Sequence, residues 1–318
     1  MSIPVNADNF VRAETHRMFA DIQAVAGGVG IFRHNRTPAR IDEQTVIRLN
    51  RDTLYSFAVV DLAQPARLTL PDAAGRYLSA MVVNEDHYVN GVIHEAGEHI
   101  LTKEDFGSRH ILVGVRILVD PNDSADVDAV AALQDRLTIE AGSSDPFVKP
   151  DYDADSLGAT RDALLALARG LNNFDRTFGT QADVDPVRHL IGTAAGWGGL
   201  PTSEATYFGV DPNLPPGEYQ LVFKDVPVDA FWSVSVYNAK GYFEPNAKGL
   251  YSVNSVTGQP NDDGSIAVRF IATTDGEVPP NAIVTPEGWN YLIRFYRPRP
   301  EILDGSWTPP PVHAATAT

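Results

Sequence analysis

The chain contains no cysteine in its 318 residues. That excludes disulfides, thiolate metal sites, iron–sulfur clusters and cysteine nucleophiles together, and leaves any metal to His, Asp and Glu. Long apolar runs are also missing. Nothing approaches the roughly 20 continuous apolar residues of a membrane helix, so no membrane partner is expected. Basic residues are scarce: 25 Lys and Arg stand against 41 Asp and Glu, a net charge of −16. A field of that sign repels nucleic acid and anionic lipid, and no basic cluster reverses it locally. Residues 6–21 carry charges throughout and 24–32 make only a short apolar run. No signal peptide is read there, and a cytoplasmic address is the expectation.

Several catalytic signatures are absent as well. There is no Gly-x-Ser-x-Gly elbow, which excludes an α/β-hydrolase mechanism. There is no His-Glu-x-x-His, no phosphate-binding Gly-x-x-x-x-Gly-Lys and no EF-hand loop, and no Gly-x-Gly-x-x-Gly follows a strand. The Gly196-Trp197-Gly198-Gly199 run lacks a following Lys and reads as a tight linker.

What the chain does contain is periodicity. Residues 7–26 place Phe10, Val11, Thr15, Met18, Phe19, Ile22 and Val25 at helical spacing and stop at Gly27-Gly28. Short β-rich runs follow at 55–62, 67–70, 76–84, 88–94 and 110–119. Helices are predicted at 124–139 and 156–178, separated by a polar, Pro-containing stretch at 142–155 that is a boundary or an excursion. Strands return at 219–226, 231–237, 250–253, 265–272 and 291–296, with Asp262-Asp263-Gly264 as a hairpin turn signal. The Pro-rich tail from Trp307 should be mobile at its end. The order β-rich, helical, β-rich predicts an α+β chain, mainly β, of two antiparallel β modules with an N-terminal helix and a central helical segment. The expected domains are 1–140, a helical connection at 141–195, and 196–318.

The segment Arg48-Leu49-Asn50-Arg51-Asp52-Thr53-Leu54-Tyr55-Ser56 is the strongest site candidate. Read as a strand leaving Thr45-Val46-Ile47, it puts Arg48, Asn50 and Asp52 on one face. Arg48 would then bind a carboxylate or carbonyl, Asp52 would move protons with its pKa lowered by neighbouring arginines, and Tyr55 would donate a hydrogen bond. The rival reading is a buried polar network in which Asp52 pairs with an arginine and Asn50 caps a turn. A second group is Glu85, His87, His94, Glu95 and His99. On a strand Glu85 and His87 share a face, with His87 as a candidate base; His94 and His99 are assigned to a solvated loop. The group lacks the His-x-His of a cupin metal site, so no metal is expected. Trp232, Tyr237, Tyr242, Phe243, Trp289, Tyr291 and Tyr296 read mainly as core, with Trp232 and Tyr237 kept as substrate contacts. Arg294, between Tyr291 and Tyr296, is expected to stack or to pair with Asp263 or Glu244.

The C-terminal strands carry a family resemblance. Phe231-Trp232-Ser233-Val234-Ser235-Val236-Tyr237, Gly241-Tyr242-Phe243, Leu250-Tyr251-Ser252-Val253-Asn254, Gly288-Trp289-Asn290-Tyr291, Arg294-Phe295-Tyr296-Arg297-Pro298 and Gly305-Ser306-Trp307 resemble the bacterial DUF1254/DUF1214 family. The segment 48–56, Leu70-Pro71 and Gly75-Arg76-Tyr77 are similar to its N-terminal partner domain. The resemblance implies two jelly-roll-like modules. It says little about chemistry, although some relatives are labelled hydrolases or carboxylesterases. The leading reading is an enzyme acting on a small organic molecule, hydrolytic or acid–base in character, without an organic cofactor. Its residues are Asp52, His87 and Tyr55 as catalysts, with Arg48, Asn50, Glu85, Trp232, Tyr237 and Arg294 binding substrate. The alternatives are a non-enzymatic binding or homo-oligomeric scaffold protein, and a mononuclear metal enzyme built on His87.

Overall fold

The computed structural model describes residues 2–44, 46–171 and 173–315. The chain divides into two compact units, each assembled from three stretches. The N-terminal unit comprises Met1–Arg36, Thr53–Val119 and Ala125–Thr202, and the C-terminal unit Thr37–Asp52, Asp120–Ser124 and Ser203–Thr318. Residues 141–195, expected as a separate connection, belong to the N-terminal unit, and residues 37–52 belong to the C-terminal one. The chain is mainly β, of the α+β class, as the order of periodic segments predicted.

In the N-terminal unit the elements are α1 (Phe10–Ala26), β1 (Arg33–His34), β2 (Thr53–Asp61), β3 (Ala66–Leu70), β4 (Leu78–Asn84), β5 (Val89–Ile93), β6 (Gly97–Leu101), α2 (Lys103–Phe106), β7 (His110–Leu118), α3 (Ser124–Gln134), β8 (Thr138–Ala141), α4 (Ala154–Ala168) and α5 (Pro186–Gly196). They build an antiparallel sheet in the order β1-β2-β7-β4-β5 and a smaller one in the order β6-β3-β8. Alternate residues Val113, Val115 and Ile117 of β7 and Ala80 and Val82 of β4 pack with Leu68, Leu70 and Leu101 of the small sheet. This is the period-two burial that a two-layer β core requires. Each such Val, Leu or Ile side chain contributes roughly 1.5–3 kcal/mol. Helix α1 ends where Gly27 enters the left-handed region at φ 86° and donates its N–H to Gln23, a glycine C-cap.

The C-terminal unit holds β9 (Ala205–Val210), β10 (Tyr219–Phe223), β11 (Trp232–Tyr237), β12 (Ser252–Asn254), β13 (Ile266–Ile271), β14 (Ala282–Val284), β15 (Asn290–Tyr296), α6 (Pro300–Leu303) and β16 (His313–Ala314). Its two four-stranded sheets run β14-β13-β10-β16 and β12-β11-β15-β9, antiparallel except for β13 with β14. Trp232, Val234 and Val236 of β11, with Ile293 and Phe295 of β15, meet Leu221, Phe223, Val268 and Phe270 in its core. The opposite face of β11 and β15 therefore carries Ser233, Ser235, Tyr237, Leu292 and Arg294. Segment 37–52 covers that face, packing Ile41 and Leu49 on Tyr237, Phe243 and Leu292.

Several expectations change. The helix predicted to 139 stops at Gln134, and Thr138–Ala141 pairs with β3 instead. The helix predicted to Phe178 ends at Ala168, before Gly170, whose φ of 84° breaks it. Helix α5 was not anticipated, although Asp185-Pro186 is a start signal: Asp185 accepts the N–H groups of Val187 and Arg188, and Pro occupies the first turn. Asp262-Asp263-Gly264 does form a turn, with Gly264 at φ 79°, but β12 and β13 on either side lie in different sheets. The tail pairs with β10 through His313 and Ala314; its last residues, 316–318, and Thr45 lie outside the described residues.

Candidate functional site

Residues 48–52 are not a strand. β2 begins at Thr53, and Arg48 sits in the left-handed region at φ 53°, so strand alternation never aligns Arg48, Asn50 and Asp52. Arg48 points its side chain across Gly209, while its N–H donates to Gly241 O at 2.7 Å. Asn50 makes an Asx turn, accepting the Asp52 N–H at 2.8 Å, and donates Nδ2 to Tyr296 Oη at 2.8 Å. Asp52 is 1% exposed and accepts a hydrogen bond from Ser233 Oγ at 2.6 Å. Burial pushes its carboxyl pKa up, against the opposing pull of Arg294 and the Ser233 bond. The lowered value expected from neighbouring arginines is thereby reversed, because desolvation outweighs charge attraction.

Arg294 is the hub of this region. Fully buried, it donates to Ser235 Oγ at 2.9 Å, to Tyr237 Oη at 2.7 Å, and to the carbonyl oxygens of Arg48 at 2.9 Å and Leu49 at 3.4 Å. Tyr237 in turn donates to Leu49 O at 2.9 Å. The expected pairing of Arg294 with Asp263 or Glu244 does not occur; Asp263 pairs with Lys224. Trp232 is enclosed in the sandwich core, stacked on Phe223 at 4.2 Å. These groups clamp segment 48–52 onto the outer face of the β11/β15 pair, which is the buried-network reading.

Tyr55, Glu85 and His87 belong to the N-terminal unit. Tyr55 lies on β2 opposite Arg116 of β7, whose guanidinium is 5.4 Å from its ring centre. Residues 85–88 form the β4–β5 turn rather than a strand, so Glu85 and His87 are not set by alternation. Asn84 Oδ1 organises the turn by accepting the N–H groups of Asp86 and Tyr88 at 3.0 Å each. His87 takes the left-handed position, φ 61°. Its buried ring lies 2.8 Å from Thr193 Oγ1 through Nδ1, and Nε2 accepts the Gly198 N–H at 2.9 Å. Thr193 Oγ1 itself donates to His189 O, so Nδ1 carries the proton and the ring is the neutral tautomer. Burial, reinforced by His189, holds its pKa well below the usual range. With both nitrogens engaged, His87 is a joint between the turn and the α5 region. Among the histidines assigned to a loop, His99 lies on β6, and His94 Nδ1 is 3.0 Å from Leu78 O.

Glu85 gathers a different set. Its Oε2 is 3.1 Å from His16 Nε2 and 3.5 Å from Arg12 Nη1, and its Oε1 accepts the backbone N–H of His110 at 3.1 Å. His16, on the buried side of α1, faces Tyr152 Oη through Nδ1 at 3.2 Å. His110 opens β7 directly across from Asp61, the last residue of β2. Its Nδ1 stands 3.9 Å from Glu85 Oε1 and its Nε2 3.9 Å from Asp61 Oδ1. The residue is 9% exposed, and among the described residues Nε2 has no hydrogen-bond partner within range. The ring is thus enclosed between two carboxylates, neither close enough to bond it.

The electrostatics of this set are asymmetric. Arg109 holds the Asp61 carboxyl far below its usual range, outweighing burial, with help from Ser143, the Ala63 N–H and His110. Burial raises the Glu85 carboxyl, but His16, the His110 N–H and Arg12 outweigh it and keep the group ionised. Burial lowers the His110 pKa against the pull of Asp61, Glu85 and the Asp145 backbone. A neutral imidazole between two carboxylates is arranged to accept a proton, since the cation formed would be stabilised from both sides. Sequence reasoning found Glu85 but missed His16, His110 and Asp61. The available signals were a His on the apolar face of α1 and a His beginning the wholly apolar run of β7. Among the described residues, no three His, Asp or Glu side chains converge as metal ligands.

Two β units, one led by a helix and one built as a sandwich, define a two-module, mainly β protein. Residues 29–141 match the family described as protein of unknown function DUF1254, and residues 213–300 match that described as protein of unknown function DUF1214. The chain is a two-module member of the DUF1254/DUF1214 family. No curated protein matches it. Among solved structures it is similar to a Vibrio parahaemolyticus protein at 18% identity, covering 98% of each chain with a TM-score of 0.74. It is also similar to an uncharacterized protein from Burkholderia cenocepacia at 16% identity, covering 96% of this chain and 87% of that one, with a TM-score of 0.52. At these identities the likeness is one of fold. Among the described residues no helix is long and apolar enough to cross a membrane.

Proposed function

We propose that the protein is an enzyme acting on a small organic molecule by acid–base chemistry, with its reacting groups at Glu85 and His110 of the N-terminal unit. The observation that carries this reading is the unbonded Nε2 of a buried, neutral His110 between Glu85 and Asp61. A buried histidine serving only packing normally has its ring nitrogens satisfied, as His87 does. In a hydrolytic reaction His110 would take a proton from water as that water attacks a carbonyl carbon. Glu85 and Asp61 would hold the resulting imidazolium. The proton then goes to the alcohol or amine that leaves as the acyl C–O or C–N bond breaks, and His16, fixed by Glu85 and facing Tyr152, offers a route for it. Asp52, Arg294 and Tyr237 take no part in this chemistry; their closed network supports a scaffold role for that segment.

The reading is tested with p-nitrophenyl acetate and a panel of aryl esters and anilides. His110→Asn and Glu85→Gln should each lower kcat/KM by about 10²–10⁴, the usual worth of general acid–base catalysis. His87→Asn should change it little. A folded His110→Asn variant as active as the parent, or a parent and a Phe147→Ala variant that are both folded and both inert toward the whole panel, would remove the hydrolytic reading. A second reading, a non-enzymatic binding protein, is favoured by the internal closure of the Arg294 network and predicts ligand binding without turnover.

A further inference from the structure

The cluster around His110 is covered by residues 142–152, which form neither helix nor strand apart from a single bridge between Tyr152 and Ile3. From residue 142 to residue 150 only Phe147 is buried; its neighbour Val148 is 81% exposed. The Phe147 ring stands edge-on to three others: His16 at 5.1 Å, His110 at 5.1 Å and Phe19 at 5.6 Å. Its backbone is read by one side chain. Gln23 Oε1 accepts the Phe147 N–H at 2.7 Å, and Gln23 Nε2 donates to the Phe147 carbonyl at 3.2 Å. A single carboxamide recognising both halves of a residue, above a box that takes an aromatic ring, is how a site holds an amide-bearing ligand.

The rest of the strap is held by polar contacts near its start. Asp145 pairs with the exposed Arg109 at 2.9 Å, and Ser143 donates to Asp61. The strap therefore touches Asp61 through Ser143 and His110 itself through the Asp145 backbone. Phe147 is the one side chain of the 142–150 stretch that is itself buried.

We propose that Phe147 occupies the substrate position in cis, and that the site takes a molecule presenting an aromatic ring beside an amide, such as an N-acylated aromatic amine or amino-acid derivative. The proposal rests on the reading of Glu85 and His110 as the reacting groups and names their substrate class. The strap and the substrate are then alternatives: the ring of either lies against His16 and His110, and the amide of either engages Gln23. Departure of the strap also removes Ser143 and Asp145 from the Asp61 side of His110, opening the approach to Nε2.

The test uses the full chain and N-acetyl-L-phenylalaninamide as the probe, with N-acetyl-L-alaninamide as control. Phe147→Ala should bind the phenylalanine probe saturably by calorimetry, at least tenfold more tightly than the parent chain, and should not bind the control. Adding Gln23→Ala to Phe147→Ala should reduce that affinity at least tenfold. A folded Phe147→Ala variant without saturable binding, or equal affinity in the parent chain, would overturn the proposal. If circular dichroism shows Phe147→Ala to be unfolded, Gln23→Ala alone decides, because it keeps the ring and frees the backbone. His110 should then be carbethoxylated by diethyl pyrocarbonate at least tenfold faster than in the parent, by peptide mass spectrometry; an unchanged rate would overturn it. Probe binding without turnover of any ester or anilide leaves this inference standing and removes the acid–base reading. Turnover that depends on His110, without probe binding, does the reverse.

Discussion

Replacing Arg294 with Met tests whether the buried guanidinium holds the C-terminal unit together. Met preserves much of the aliphatic stem but deletes the donors to Ser235, Tyr237 and the carbonyls of Arg48 and Leu49. It also removes the cation that opposes the desolvation of Asp52. Removing one partner from a buried charged network costs about 3–5 kcal/mol, because the remaining groups stay buried and unsatisfied. Asp52 limits that cost, since its carboxyl is already pushed upward and can take up a proton. Asp52→Asn alone should therefore cost only about 1 kcal/mol, and less still in the Arg294→Met background, the difference being the coupling between the two sites. Urea unfolding followed by fluorescence reads the outcome, because Trp232 and Trp289 both lie in this unit's core. With a slope of roughly 2 kcal/mol/M the midpoint should fall by about 2 M. A shift below about 0.5 M, or fully additive effects of the two substitutions, would refute the account of Arg294 as the clamp on segment 48–52.

Three further outcomes are expected. His87 and His110 are both held neutral by burial, so their folded pKa values lie below the unfolded value of about 6.5. Stability is then complete above about pH 6.5 and falls as the pH drops toward those folded values, by up to about 1.4 kcal/mol per pH unit for each ring. His87→Asn should flatten the decline between about pH 6.5 and 5 in denaturant titrations, and an unaltered slope would show that His87 contributes nothing to it. Asp61 and Glu85, whose pKa values are lowered, act in a separate window: their contribution is present above about pH 4.5 and is lost on further acidification. Gly192→Ala should destabilise despite a gain of about 1 kcal/mol in helix propensity. The new methyl would stand 1.9 Å from Thr177 Cγ2, an overpacking cost of about 1–3 kcal/mol. Thr177→Ser, which deletes that carbon, should restore much of the loss in thermal melts.

The strands were legible where apolar residues run continuously or alternate, as in β2, β4, β7, β11 and β15, because burial itself imposes the pattern. Boundaries failed where a local interaction overrode the period. Thr138–Ala141 follows helix α3 in sequence but pairs with β3, a distant partner that no local window contains. The segment 48–52 looked like a strand because it continues the β-branched run Thr45-Val46-Ile47 toward the β-rich residues after Thr53. The left-handed backbone at Arg48 and the Asx turn at Asn50 decide otherwise, and the second of these was within reach of turn chemistry. His16, Glu85 and His110 lie far apart in the chain and meet only through β2–β7 and β4–β7 pairing beneath α1. Their individual environments look ordinary, so the cluster has no contiguous motif. Phe147 had a weaker cue: a lone aromatic in a polar connection, which invites the question of what it fills.

The path of the chain carries a consequence for inheritance. Between neighbouring strands β1 and β2, residues 37–52 leave to complete the C-terminal unit. A gene fragment encoding only residues 203–318 would retain Arg294 but lose the carbonyls and carboxylate that it was built to face. Such a fragment should be insoluble or molten, whereas supplying residues 37–52 as a separate peptide should rescue it. The two halves are interlaced in one thread, so shuffling or fusing the second module by itself would transmit a socket without its plug.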